Sequence, residues 1–170
     1  MHTYETIYDE LARLGVACQR YEHGPHYTAD DALQDVVHWP DGAHVKNLLV
    51  KDKAGSLTLI TVLHQRRVDL VKLGKYLGSK DRLSFAKEEL LWEVLGVKPG
   101  SVSPLALANA APGSLTFVLD TPATTRELLY CHPLINTQTV AMAPADLLRA
   151  VQAWGHEPRL IDLGGFEKAC

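Results

Sequence analysis

The stretch from Ala43 to His64 limits the possible folds more than any other part of this chain. AHVKNLLVK over residues 43–51 and SLTLITVLH over residues 56–64 are apolar runs rich in Val, Leu, Ile and Thr, a composition that suits pleated, largely buried strands. Asp52-Lys53-Ala54-Gly55 between them has the acid and the glycine of a tight turn. The two runs therefore predict a β-hairpin whose strands lie central in a sheet. Lys46 and Asn47 interrupt the first run. A polar side chain there needs a partner, a water or a ligand, because burying it bare is costly. On a regular strand the two point to opposite faces unless a bulge intervenes. Lys46 reads equally as a stem carrying its ammonium to the surface or as a group facing a polar pocket.

Helices and further strands are expected to pack around the hairpin. Tyr4, Ile7, Tyr8, Leu11 and Leu14 recur at helical spacing, and Gly15 follows as a stop. Residues 16–22 read as a strand, broken by His23-Gly24-Pro25-His26. Thr28 then predicts the N-cap of a short helix with Asp30 and Asp31 in its first turn. Residues 68–77 predict a helix closed by Gly78, residues 83–85 a short strand, and residues 87–95 a helix closed by Gly96. Strands are expected over 115–120, 128–132, 137–142 and 159–163, and a last helix opens at Pro144. With 170 residues and neither linker nor repeat, the chain reads as one α+β domain over residues 1–170, a largely antiparallel or mixed sheet surrounded by helices.

Composition removes several classes of function. No apolar run approaches the length that spans a bilayer. Residues 1–5 lack the layout of a signal peptide, and three widely spaced cysteines suit a reducing compartment, so a cytoplasmic protein is expected. A formal net charge of −3 argues against a general nucleic-acid coat protein and against a DNA partner, while leaving room for a local basic patch that meets one end of an RNA. His23 and His26 form an H-x-x-H without an acid or cysteine at ligand spacing, so no metal is expected. Glycine-rich phosphate loops and the G-x-S-x-G elbow are absent, which leaves no case for a nucleotide cofactor or a serine nucleophile of that kind. Cys131 and His132 are adjacent on a predicted strand and point apart, so Cys131 reads as a small core residue. His132-Pro133 ends that strand, where an imidazole is either structural or turned to a cleft. Gly96-Val97-Lys98-Pro99-Gly100-Ser101-Val102-Ser103-Pro104-Leu105 is a rigid loop bracketed by glycines and prolines. It is either a plain connector or a loop whose amides around Ser101 and Val102 point at a ligand.

Four segments in order carry a resemblance: Val45 to Asp52, Leu83 to Ala86, Gly96 to Leu105, and His132-Pro133-Leu134-Ile135-Asn136-Thr137. Together they resemble the YbaK/prolyl-tRNA synthetase editing-domain superfamily, and within it the free-standing ProX (PrdX) type that deacylates alanyl-tRNA(Pro). The resemblance runs from the first helix to the last strand. It implies an aminoacyl-tRNA deacylase without metal or cofactor, acting on the acceptor end of a mischarged tRNA, with prolyl-tRNA synthetase or an elongation factor as candidate docking partners. By the same resemblance Lys46 contacts the tRNA 3′-end, Asn47 lies in the pocket, and the amides of Gly100 to Pro104 hold the aminoacyl ester. His132 lines the aminoacyl pocket, Thr28 belongs to its N-terminal wall, and Arg82 reads the acceptor stem. Lys87 stands where a small helix-capping residue is expected. A deacylase for cysteinyl-, seryl- or threonyl-tRNA and a non-catalytic tRNA- or synthetase-binding module remain as alternatives.

Overall fold

A computed structural model of the chain describes residues 1–25, 36 and 38–169. Among these it contains eight strands: β1 (Cys18–Glu22), β2 (Ala43–Lys51), β3 (Leu57–Leu63), β4 (Ser84–Phe85), β5 (Leu115–Asp120), β6 (Leu129–Cys131), β7 (Gln138–Met142) and β8 (Pro158–Ile161). Four α-helices accompany them: α1 (Ile7–Arg13), α2 (Leu70–Leu77), α3 (Glu88–Leu95) and α4 (Pro144–Ala153). The strands form one sheet in the order β1-β7-β6-β2-β3-β5-β8, with β4 pairing β2 beside that path. The predicted hairpin is the middle of this sheet, in unbroken antiparallel register from Val45↔Leu63 to Lys51↔Leu57. β1–β7, β6–β7 and β2–β4 are also antiparallel, whereas β2–β6, β3–β5 and β5–β8 are parallel. The sheet is mixed.

Strand alternation sorts the core into two layers. Leu49, Leu59, Leu63, Phe117, Leu119, Leu129, Cys131 and Val140 meet Ile7 and Leu11 of α1, Leu91 and Leu95 of α3, and Leu147 and Val151 of α4 on the first face. Val50, Ile60, Val62 and Val118 meet Leu73 of α2, with Ile161 and Leu163, on the second. Each fully buried Leu, Ile, Val or Phe contributes about 1.5–3 kcal/mol relative to exposure, so both layers hold the sheet flat against its helices.

Element ends differ from the sequence reading where side chains intervene. α2 starts at Leu70 because Asp69 caps it, accepting from Val71 N and Lys72 N at 3.0 and 3.1 Å, while Val68 bridges Glu167. Lys87 holds the cap position of α3 without a side-chain cap hydrogen bond. Residues 105–111, expected only as a small apolar stretch, hold most of a short 3-10 turn over Pro104–Ala108, capped by Ser103 Oγ accepting from Leu105 N at 3.2 Å. The helix expected from Thr28 lies outside the described residues.

One buried carboxylate closes the lower end of the sheet. Asp120 is fully buried and accepts from Leu63 N at 3.2 Å and Leu163 N at 3.0 Å, with Arg66 Nε at 3.4 Å. It thereby ties the end of β3, the end of β5 and the chain after β8 to the turn at residues 63–66. Asp120→Ala strips two buried amides and a half-buried guanidinium of their acceptor. The expected cost is about 3–5 kcal/mol, seen in urea unfolding as a lower midpoint with an unchanged slope.

Candidate functional site

The ladder on the far side of β2 is interrupted. β6 pairs only Ala43↔Leu129 and His44↔Tyr130, and β4 pairs only Val50↔Phe85 and Lys51↔Ser84. Between them, residues 45–49 have β3 on one side and, among the described residues, no strand on the other. His44 O accepts from His64 N on the β3 side, and Leu49 O accepts from Ala86 N on the opposite side. By alternation the main-chain N–H and C=O of Asn47 point into the gap. His132, just past the end of β6, borders it.

Lys46 and Asn47 sit in this gap on opposite faces, because the β2–β3 register contains no bulge. Asn47 lies on the first face, its Oδ1 accepting from Thr61 Oγ1 at 2.6 Å. That bond satisfies the polar interruption seen in the sequence. Lys46 lies on the second face, half-buried, and its pKa is lowered first by burial and then by the charge of Arg67. His44 shares its face and stacks on Tyr130, ring centroids 4.5 Å apart and nearly parallel. Trp39 stacks on both Tyr21 and Tyr130, at 4.5 and 5.5 Å, and His64 meets His44 edge-on at 6.2 Å. Burial pushes the Tyr130 hydroxyl up to about 12, and it donates to Pro40 O at 2.5 Å. Burial, then His64, lowers the pKa of His44. Gly42 makes room for this packing: a Cβ there would sit 2.8 Å from both Leu128 O and the Tyr130 ring.

The loop from Gly100 approaches from the first face. Gly100 has φ +85, a conformation glycine adopts without penalty. Ser101 is buried, and its N–H donates to Lys98 O at 3.0 Å. The turn thus engages the Ser101 amide, which the sequence left open as a ligand donor. The N–H groups of Gly100, Val102 and Ser103 have no hydrogen-bond partner among the described residues, so Val102 is one of three loop amides open to a ligand. Val102 packs against the first core, Pro104 is buried, and Ser103 acts on the Cys131 thiol. The loop and His132 are thus joined through Ser103 and Cys131.

His132 Nδ1 lies 2.8 Å from Gln138 O. A carbonyl only accepts, so Nδ1 carries the proton and Nε2 is the acceptor nitrogen of the neutral ring. His23 lies 6.1 Å from it, ring to ring, with Nδ1 toward Gly24 O and Nε2 toward Thr139 Oγ1. Leu134, two residues beyond His132, is buried at φ +67. A bulky residue costs of order 1–3 kcal/mol in that region and such strain clusters at binding sites. Nothing in the sequence signals it, since no glycine stands there.

Arg82 is not part of this group. It lines an open groove of about 410 Å³ with Lys51, Asp52, Lys53, Gly55, Asp81 and Ser84, roughly 17 Å along β2 from Lys46. Asp52 is occupied there by the amides of Ser56 and Lys80, and Asp81 faces Lys53 at 3.6 Å. Thr28 and His26 lie outside the described residues.

Residues 23–150 match the family model described as the aminoacyl-tRNA editing domain. The chain belongs to that family. The editing domain is 36% identical over 156 residues to "Prolyl-tRNA synthetase associated domain-containing protein 1" of Mus musculus, covering 89% of this chain and 91% of the relative. It is 29% identical over 164 residues to "Prolyl-tRNA editing protein ProX" of Acetoanaerobium sticklandii, covering 96% and 99%. Among solved structures, a candidate trans-editing enzyme for prolyl tRNA synthetase superposes with a TM-score of 0.73 at 19% identity over 98% of this chain and 97% of that one. That likeness establishes the editing-domain fold. No helix among the described residues is long and apolar enough to cross a membrane.

Burial also decides the chemistry of Cys131, pushing its thiol up to about 12. Only the thiolate is a strong nucleophile. In the native protein at pH 7.5, iodoacetamide is expected to leave Cys131 unmodified, while the urea-unfolded chain takes the label there. Peptide mass spectrometry reads both states.

Proposed function

We propose that this editing domain is a deacylase that hydrolyses the ester of alanyl-tRNA(Pro). The observation that carries the reading is the gap beside β2, where Lys46, the main chain of Asn47 and His132 border an interruption in the sheet approached by the Gly100 loop. Its support from outside the chain is the family membership and the likeness to a protein named for prolyl-tRNA editing.

In this reading Lys46 holds a phosphate of the tRNA 3′-end as a point charge. Val102 N–H donates to the carbonyl oxygen of the ester, where negative charge develops as water attacks; one such donor is worth about 3–4 kcal/mol. The adjacent ribose hydroxyl of the terminal adenosine assists the water. The ester C–O bond breaks, the leaving ribose oxygen takes the proton lost by the water, and the products are alanine and free tRNA. His132 lines the aminoacyl pocket, its orientation fixed by the Gln138 carbonyl, and Asn47, Pro104 and Thr28 complete the walls. A pocket sized for a methyl excludes the prolyl ring sterically, whereas alanine and its small neighbours differ by only about 1–3 kcal/mol. Arg82, in its open groove of mixed charge, reads the acceptor stem. Prolyl-tRNA synthetase or an elongation factor is the docking partner in this scheme, which is set in the cytoplasm.

Release of labelled alanine from alanyl-tRNA(Pro), with prolyl-tRNA(Pro) and alanyl-tRNA(Ala) alongside, tests the substrate. Loss from the first alone is expected. Equal loss from cysteinyl-, seryl- or threonyl-tRNA in place of alanyl-tRNA(Pro) would move the assignment to that substrate. Lys46→Ala is expected to abolish release while the circular dichroism spectrum and unfolding midpoint stay close to those of the parent. An unchanged rate would remove Lys46 from the site.

A further inference from the structure

We propose that Arg67 is a second phosphate-binding residue of the same site, holding the backbone phosphate one nucleotide inward from the one at Lys46, so that the single-stranded RNA end runs along the second face of the sheet past His44 and His64. The proposal rests on the tRNA reading above.

Two neighbouring arginines in one turn are treated differently by the fold. Arg66 meets the buried Asp120 at 3.4 Å and Asp162 at 2.8 Å. Arg67, the next residue, is exposed and its side chain has no hydrogen bond or ion pair among the described residues. Lys46 is in the same condition, although half-buried. The two cations are nonetheless near enough for the charge of Arg67 to disfavour that of Lys46. Like charges brought together without an acid are destabilising in the free protein, and an anion seated between them reverses the sign.

The anchoring of the turn argues against a chance approach. Arg66 N donates to Leu63 O, Lys168 N donates to Arg67 O at 2.8 Å, and the adjacent Val68 is buried in the second core and bridges Glu167. The main chain at Arg67 is therefore held on both sides. The β2–β3 register sets His64, three residues before Arg67, opposite His44 on the face that carries Lys46, and that face is aromatic: His44 and His64 lie edge-to-face, and His44 continues into the Tyr130 and Trp39 stack. Cations that track a backbone, interleaved with ring faces for bases, are the combination that binds single-stranded nucleic acid. An inorganic anion would have no use for the rings.

The test is binding of a fluorescein-labelled oligoribonucleotide ending in CCA, followed by anisotropy over a series of salt concentrations, for the parent chain, Arg67→Ala and Arg67→Lys. Each phosphate contact to a single strand contributes about 0.7 to the slope of log K against log salt. Arg67→Ala is expected to lower the slope by about that amount and the low-salt affinity by roughly tenfold, and Arg67→Lys to restore most of the slope. An unchanged slope in Arg67→Ala, or no measurable binding by the parent chain, overturns the proposal. Because the probe carries no amino acid, failure of every deacylation assay alongside a reduced slope would remove the hydrolase reading and leave the Arg67 contact standing.

Discussion

The continuous β2–β3 ladder is the interaction on which the rest of the molecule depends. It is the longest pairing in the sheet, and its regularity fixes which side of the sheet every β2 side chain faces. A slip of one residue would turn Leu49 and Val50 onto each other's layers and exchange Lys46 with Asn47. The site exists because this ladder is complete on one side of β2 and incomplete on the other. Two short strands, β6 and β4, reach β2 from opposite ends and stop before they meet. A gap of this kind borrows rigidity from the core and, among the described residues, leaves the main chain of Asn47 without a strand partner.

Its electrostatics follow from the same division. The first face brings loop amide donors and a hydroxyl–amide bond between Thr61 and Asn47. The second face brings an ammonium whose charge is disfavoured by burial, imidazoles, and stacked rings. An ester carbonyl suits the first set and a phosphate suits the second. The interruption in β2's ladder is the place where one bound molecule could touch both.

Much of the fold was legible because its signals are local. The hairpin, the glycine stops at Gly78 and Gly96 and the strand over residues 115–120 follow from composition and period alone, and the structure places them within a residue or two. Sheet order was not legible, since nothing in a short strand such as β6 announces a parallel partner in β2. At the site, the polar interruption at Lys46 and Asn47 and the strand end at His132 could be read directly. The spent amide of Ser101, the strain at Leu134 and the isolation of Arg67 could not. Each is a property of three-dimensional bonding: a turn closing on Lys98, a buried backbone twist without glycine, and an acid given to one arginine and withheld from the next.

The pairing of β1 with β7 has a consequence for how the molecule is made. Cys18 lies opposite Met142 and Glu22 opposite Gln138, so one edge of the sheet joins segments from opposite ends of the chain. β8 likewise completes the other edge only by pairing with β5. During synthesis the hairpin forms early from neighbouring residues, but both borders wait for the last quarter of the chain to leave the ribosome. Closing such long loops before their contacts form is slow. Until those segments emerge, the apolar edges of the central strands have no strand partner, and shielding them is left to other contacts.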